Sequence, residues 1–378
     1  MSDNRIGAEP LDVLRGRHSA KWRLYPDDVI PLFVAEMDYP IAEPLKRTLT
    51  DFVNSNDLGY LGAIPEIAPA FTSFAEQRWG WTPDTSHMRV AADVGVATVE
   101  YLRANKAESV IVTSPVYSGF WSWLKELDVD IVDVPLTDSF DMDFAGIEKA
   151  FAGGVKHFLL CNPHNPLGKV FGRAELLALA ELADKFGATV IADEIHAPLT
   201  FPGTEFVPYL SLGPAAERTG VLVTSTSKSW NLAGLKAAFL LAYEDKAATF
   251  DKLPASMHYR ASILGAFSMA TAYTEGVPWL DSTIDTIIEA RDHLETELAR
   301  VLPDAKIEWV PDAGYLAWID VSALGLGENP HERILADAKV AFVAGTNCGP
   351  DYVNHVRINF ATSHDIITEA LERIAAIV

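Results

Sequence analysis

A lysine that closes an apolar run is the feature of this sequence best suited to chemistry. In GVLVTSTSKSWNLAGLK, Lys228 follows a β-branched stretch and the hydroxyls of Ser225 and Ser227. Lysine is ordinarily solvated. At the end of a buried strand it is partly desolvated, which lowers its pKa and leaves the neutral amine nucleophilic. Lys236, beyond the small residues Ala233 and Gly234, joins Ser225 and Ser227 as a cation and two hydroxyls suited to a phosphate. A second apolar run, ATVIADEIH, ends in Asp193, Glu194 and His196. An unpaired buried carboxylate costs on the order of several kcal/mol, so Asp193 calls for a cationic partner.

Two further apolar runs end in unusual residues. SVIVTSPVY ends at Tyr117, and FLLCNPHNPLG ends in two Asn-Pro steps, the second carrying Asn165. Ligands of open α/β sheets bind beyond the C-terminal ends of the strands, so these four ends are expected to converge on one site. A protonated pyridine nitrogen is a fitting partner for Asp193. Together with a phosphate and an amine-reactive aldehyde it describes pyridoxal 5'-phosphate.

The elements that must hold these residues are legible as short apolar runs alternating with helical patterns. SVIVTS, VDIVDVP, KHFLLCNP, ATVIADE, GVLVTST and AAFLLA read as buried strands, and RAELLALAELADKFG as an amphipathic helix that stops at Gly187. The pattern is that of an α/β domain with a mostly parallel sheet flanked by helices. After about residue 280 a long helix, STIDTIIEARDHLETELARVL, precedes the alternating strands KIEWV, YLAWID and HVRINFA and a closing helix, DIITEALERIAAIV. The expected division is an N-terminal arm over 1–46, a large cofactor-binding domain over 47–279 and a small α+β domain over 280–378 that the arm joins.

Composition narrows the partners. The 378 residues are 49% hydrophobic and 22% charged, enough to fill such cores, and the formal net charge of -22 repels nucleic acid and anionic membrane. The first residues lack the apolar core of a signal peptide and no run is long enough to span a bilayer, so a cytoplasmic protein is expected. The two cysteines, Cys161 and Cys348, have no ligand spacing, and Cys161 reads as a core residue. No metal is expected at Asp193, Glu194 and His196, because alternate strand residues face opposite ways and no second histidine stands at ligand spacing. Ser225-x-x-Lys228 also matches a serine-nucleophile motif, but no KTG follows it. GLG at 325–327 reads as a turn, and the tryptophans as core or interface residues, with Trp121 or Trp123 bordering the site.

Taken together, N-P-L-G at 165–168, D-E-I-H at 193–196 and S-T-S-K-S-W-N-L-A-G-L ending before Lys236 resemble the fold-type I pyridoxal phosphate enzymes, the class I/II aminotransferase superfamily. The resemblance runs from GYLG near residue 60 to VRINFA near 358. It implies that Lys228 holds the cofactor aldehyde and then serves as base at the substrate Cα, and that Asp193 holds the pyridinium nitrogen. It puts Asn165 and His196 near the ring hydroxyl and stacks Tyr117 on the ring. Ser225, Ser227, Lys236 and the backbone amides of Gly95, Val96 and Ala97 are to take the phosphate. Arg357, by spacing alone a surface arginine, becomes the clamp on the amino-acid α-carboxylate, with Asn165 and Tyr60 also on the substrate side. Tyr60 is implied to reach the phosphate of a neighbouring subunit, hence a homodimer with shared sites.

His196, where transaminases of this fold commonly have tyrosine, is similar to the cystathionine β-lyase branch of cysteine C-S lyases, the MalY/PatB group. The arm FVAEMDYPIAEPL also resembles that branch, with Glu36 for its usual aspartate and Tyr39 for its phenylalanine. The implied reaction is β-elimination from an L-cysteine thioether such as L-cystathionine to a thiol, pyruvate and ammonia. A class I/II aminotransferase, or a regulatory protein using the fold as an interaction surface, are the alternatives. Intact Lys228, Asp193 and Arg357 argue against a purely binding role.

Overall fold

The structure, a computed structural model, describes residues 6–378. The arm contributes one short strand, β1 (Ile30–Pro31). The large sheet holds seven strands: β2 (Arg89–Ala91), β3 (Ser109–Val112), β4 (Asp130–Asp133), β5 (His157–Cys161), β6 (Thr189–Asp193), β7 (Gly220–Thr224) and β8 (Ala238–Ala242). Their order is β2-β8-β7-β6-β5-β3-β4, with β3 to β7 parallel to one another and β8 antiparallel to both β7 and β2. The parallel centre is explained by composition. Every residue of β5, β6 and β7 is buried, as expected of strands covered by helices on both faces.

All six strands expected of this sheet are present. The seventh, β2, has only three residues, too short a run to show alternation. The helix Arg173–Phe186 buries Leu176, Leu179, Ala180 and Ala183 and ends at Gly187, whose φ of +60 closes the left-handed cap.

The second sheet has the order β12-β13-β10-β9, all antiparallel, from β9 (Lys306–Ile307), β10 (Leu316–Asp320), β12 (Val343–Ala344) and β13 (His355–Asn359). The helices Val277–Val301 and His364–Ala375 pack against each other beside it. The first begins at Val277, earlier than the STID pattern suggests, because Pro278 favours the first turn of a helix.

The arm docks on this second unit. β1 pairs in parallel with β11 (Val340–Ala341), Asn359 N–H donates to the Leu32 carbonyl at 2.8 Å, and Asp38 N–H to that of Ala361 at 2.9 Å. A fully buried ion pair, Lys21 Nζ to Asp38 at 2.8 Å, pins the turn that follows, and the Trp22 indole donates to the same carboxylate at 3.0 Å. No described helix is long and apolar enough to cross a membrane.

Candidate active site

Strands β5, β6 and β7 end side by side, with Cys161 opposite Asp193 and Asp193 opposite Val223. The segments that follow them therefore enter one space. Lys228 sits partly buried in the turn after β7, and its Nζ donates to the Ala35 carbonyl of the arm at 3.0 Å. Burial, with the positive charge of Arg357, lowers its pKa from 10.5 to about 8. A fraction of the amine is neutral at physiological pH, as a nucleophile requires.

Asp193 is buried at the end of β6, where its Oδ1 accepts from Ile195 N–H at 3.2 Å. Burial lifts its pKa from 3.8 to about 7, against the lowering influence of that N–H and of Lys228. Glu194 faces the other way, as strand alternation demands, and accepts from Tyr209 N–H at 2.7 Å. Burial raises its pKa to about 8. His196 is buried against Tyr315, ring centroids 6.1 Å apart, and burial lowers its pKa to about 3, so the imidazole is neutral. Its Nδ1 has no partner among the described residues.

On the next strand end, Asn165 joins Arg357. Arg357 is 4% exposed on β13, not the surface residue that its spacing suggests. Its Nη1 donates to Asn165 Oδ1 at 3.0 Å and its Nη2 to the Phe33 carbonyl at 2.9 Å, while Nε is buried without a partner among the described residues. Tyr117 stands at the start of helix Ser118–Leu127 with its ring edge-on to Trp123 at 5.6 Å and Phe120 at 5.9 Å. Burial raises its pKa, and the charges of Arg357, Asp193 and Asp93 all act on it, so the ring lies among these groups.

The hydroxyls of Ser225 and Ser227 are 2.6 Å apart, and Ser225 Oγ donates to the Ala237 carbonyl at 2.6 Å. Next to Ala237, Lys236 adopts a φ of +53 and extends its Nζ to Asp93 Oδ2 at 3.2 Å. Asp93 caps helix Val94–Ala104, its Oδ1 accepting from Val96 N–H at 2.8 Å, and its carbonyl accepts from Ala97 N–H at 3.0 Å. Of the three amides expected to meet a phosphate, those of Val96 and Ala97 are therefore already bonded. Gly95 N–H, in the first turn, has no intrahelical acceptor.

Tyr60 is not brought to this constellation. It is 89% exposed on the segment between helices Glu43–Asn54 and Ile67–Trp79. A larger cleft, about 440 Å³, lined by Arg78, Phe201, Glu205 and Asp285 among others, shares no residue with the site. No group of three or more metal-ligating side chains occurs among the described residues.

Several contributors escaped the sequence reading. Tyr315 OH donates to the Ala35 carbonyl at 3.1 Å, beside Lys228. Asn231 grips both backbone atoms of Met37, at 2.9 and 2.8 Å, and Asn359 Nδ2 donates to the carbonyls of Val34 and Glu36 at 2.6 and 2.7 Å. These bonds hold the arm over Lys228. Only Asn359 carried a signal, since it alternates onto the same strand face as Arg357. Cys161, besides being buried, accepts from Asn165 N–H at 3.3 Å through its sulfur.

The geometry has close counterparts among known proteins. Residues 85–374 match the family model of class I and II aminotransferases. This chain belongs to that family. Within it, this aminotransferase-family chain is 34% identical to a cystathionine β-lyase of Corynebacterium glutamicum, covering 97% of this chain and 98% of the relative. It is 31% identical to the cystathionine β-lyase PatB of Bacillus subtilis, over 96% and 97% of the two chains. Among solved structures it resembles cystalysin from Treponema denticola, which contains a pyridoxal 5'-phosphate cofactor. That match has a TM-score of 0.91 and 26% identity, and covers 100% of this chain and 98% of the other. This family member thus shares its fold with that solved structure.

Proposed function

We propose that the chain is a pyridoxal 5'-phosphate-dependent C-S β-lyase that cleaves L-cystathionine or a related L-cysteine thioether to a thiol, pyruvate and ammonia. The observation that carries the reading is a buried carboxylate at the end of β6 beside the strand whose following turn carries Lys228, with burial shifting both groups toward their neutral forms. The residues fit the cofactor. Asp193 is a buried acid in need of a cation, and among the described residues the Nδ1 of neutral His196 is buried without a partner and Arg357 Nε is a buried donor without an acceptor. The relatives named cystathionine β-lyase and the cofactor-bearing cystalysin support the same reading.

In this reading Lys228 holds the cofactor aldehyde, Asp193 the ring nitrogen, Tyr117 the ring face, and Asn165 and His196 the neighbourhood of the ring hydroxyl. Ser225, Ser227, Lys236 and Gly95 N–H take the phosphate, with Val96 and Ala97 contributing through the helix end they form. When bound, the cofactor supplies an aldehyde for amines and an electron-accepting pyridinium ring.

The chain's own residues do the rest. Arg357 binds the substrate α-carboxylate by its planar fork, and Asn165 keeps that fork in plane. Asp193, ionised beside a ring cation, keeps the ring nitrogen protonated. Lys228 Nζ takes the Cα proton in its neutral form and, once protonated, can deliver a proton to the departing sulfur. The arm, held by Asn231, Asn359 and Tyr315, covers the amine and limits water. The reading carries with it a cytoplasmic homodimer in which Tyr60 serves the partner's site and a division of the chain at residues 46/47 and 279/280.

The test is pyruvate release from L-cystathionine by the cofactor-loaded protein without added keto acid, with Lys228→Ala as control. Sustained turnover lost in the variant establishes the lyase. A Lys228-dependent cofactor absorbance without pyruvate from cystathionine or other S-substituted cysteines overturns it in favour of amino transfer to a keto acid.

A further inference from the structure

The carboxylate of Asp93 lies where the proposed phosphate subsite needs positive charge. One of its oxygens accepts from the amide of Val96 at 2.8 Å, in the first turn of helix Val94–Ala104. The other accepts from Lys236 Nζ at 3.2 Å. Lys236 is a donor that the proposed phosphate would meet, and the Val96 amide belongs to the helix end proposed to face it. The cluster is continuous, since Ser227 contacts Ser225, Ser225 contacts the Ala237 carbonyl, and Lys236 precedes Ala237. Asp93 is itself about a third exposed, and Lys236 more so, so an anion can reach the pair from solvent.

We propose that Asp93 is an internal anionic competitor for the phosphate subsite, and so sets how tightly the chain retains its cofactor. The inference rests on the proposed pyridoxal phosphate reading. A helix N-terminus and a lysine ammonium both favour an anion, and here the chain supplies one of its own. For the phosphate to bind, Lys236 must leave Asp93 or share itself between two anions, and the carboxylate must tolerate a dianion close by. Each costs affinity. The pair also compensates the charge of Lys236 within the chain itself.

Two variants separate competition from support. Asp93→Asn removes the charge and keeps a side-chain oxygen for Val96 N–H. Asp93→Ser also preserves a good helix cap and guards against a folding defect in the first. Apo protein of each is titrated with pyridoxal 5'-phosphate, the cofactor absorbance giving the dissociation constant, and in parallel with inorganic phosphate, the thermal midpoint giving the shift. Competition predicts about fivefold tighter cofactor binding in both variants, appropriate to a partly exposed pair. The gain should shrink as salt rises. Inorganic phosphate should raise the midpoint of the variants more than that of the parent chain.

Weaker cofactor binding in both variants overturns the proposal and makes Asp93 a support for Lys236. A parent chain that forms no Lys228-dependent cofactor band overturns the proposed function and this inference with it. A normal band with unaltered affinity in the variants overturns this inference alone.

Discussion

Arg357, on an inner strand of the small sheet, donates from Nη1 to Oδ1 of Asn165, just beyond β5 of the large sheet, across 3.0 Å. One hydrogen bond thus joins the two sheets at the point where the substrate carboxylate is proposed to bind. The bond also fixes the orientation of the guanidinium, because its other Nη is tied to the Phe33 carbonyl of the arm at 2.9 Å. A planar cation held at two points offers its remaining donors in one fixed direction.

Arg357→Lys is expected to raise KM for the thioether so that kcat/KM falls about ten- to hundredfold, with kcat changed much less, because the carboxylate is bound alike in ground and transition states. Asn165→Ala should act in the same direction with a smaller effect, since it leaves the cation but frees its plane. Steady-state pyruvate release over a range of substrate concentrations checks both. A fall confined to kcat would show that Arg357 does not bind the carboxylate.

The depressed pKa of Lys228 yields a pH dependence of definite sign. Burial and the charge of Arg357 disfavour the ammonium, so the amine loses its proton near pH 8 rather than near 10.5. Capture of the cofactor aldehyde needs the neutral amine. Its rate should climb about tenfold per pH unit below that midpoint and level off above it. Arg357→Ala removes a like charge, so the midpoint of the rate profile should move upward. Stopped-flow absorbance on the apo protein at pH 6 to 10 decides the matter.

Much of this site was legible because its residues follow strands. A buried parallel strand announces itself by an unbroken apolar run, and the residue that ends the run is then placed at the mouth of the sheet. Lys228, Asp193 and Asn165 were found that way. Arg357 was not, because strand alternation tells which residues share a face but not whether that face is covered. What covers it here is the arm, more than 300 residues earlier in the chain, through the carbonyls of Phe33 and Val34. The grip of Asn231 on Met37 was equally hidden, since side-chain to backbone bonds across 194 residues leave no periodicity. The bonding of the Val96 and Ala97 amides is hidden for a local reason. A helix end is read as a row of free donors, and Asp93 had already taken two of them.

Asp193 predicts a stability effect opposite to that of a salt-bridged acid. Burial raises its pKa from 3.8 to about 7, so between these values the folded chain holds a proton that the unfolded chain has lost. Without the cofactor, stability from this group is therefore present at low pH and is lost as pH rises through about 7. Asp193→Asn removes the penalty. Its apo form should melt higher than the parent at pH 8, by about 1–2 °C for each kcal/mol relieved. The difference should vanish near pH 4, while cofactor-dependent turnover is lost. Calorimetry of the two apo proteins at both pH values tests this, and equal melting at pH 8 would exclude a buried charge at this position.

The exposure of Tyr60 leads to a prediction about assembly. It is 89% exposed, and it lies on a segment that also exposes Leu58. His258 Nε2 meets the Gly62 carbonyl at 3.0 Å, which brings this segment beside Tyr259, itself exposed. Such aromatic surface is characteristic of an interface between copies. If Tyr60 serves the partner's phosphate subsite, Tyr60→Ala and Lys228→Ala homodimers each carry two defective sites. A hybrid of the two carries one site with both defects and one with none. Mixing the two after reversible dissociation should therefore restore activity toward about a quarter of the wild-type level, since half of the dimers are hybrids and each has one intact site. If Tyr60 instead acts within its own chain, every site of the hybrid keeps a defect, and mixing only dilutes the residual activity of Tyr60→Ala. The regain of pyruvate release on mixing thus reports which chain the tyrosine serves.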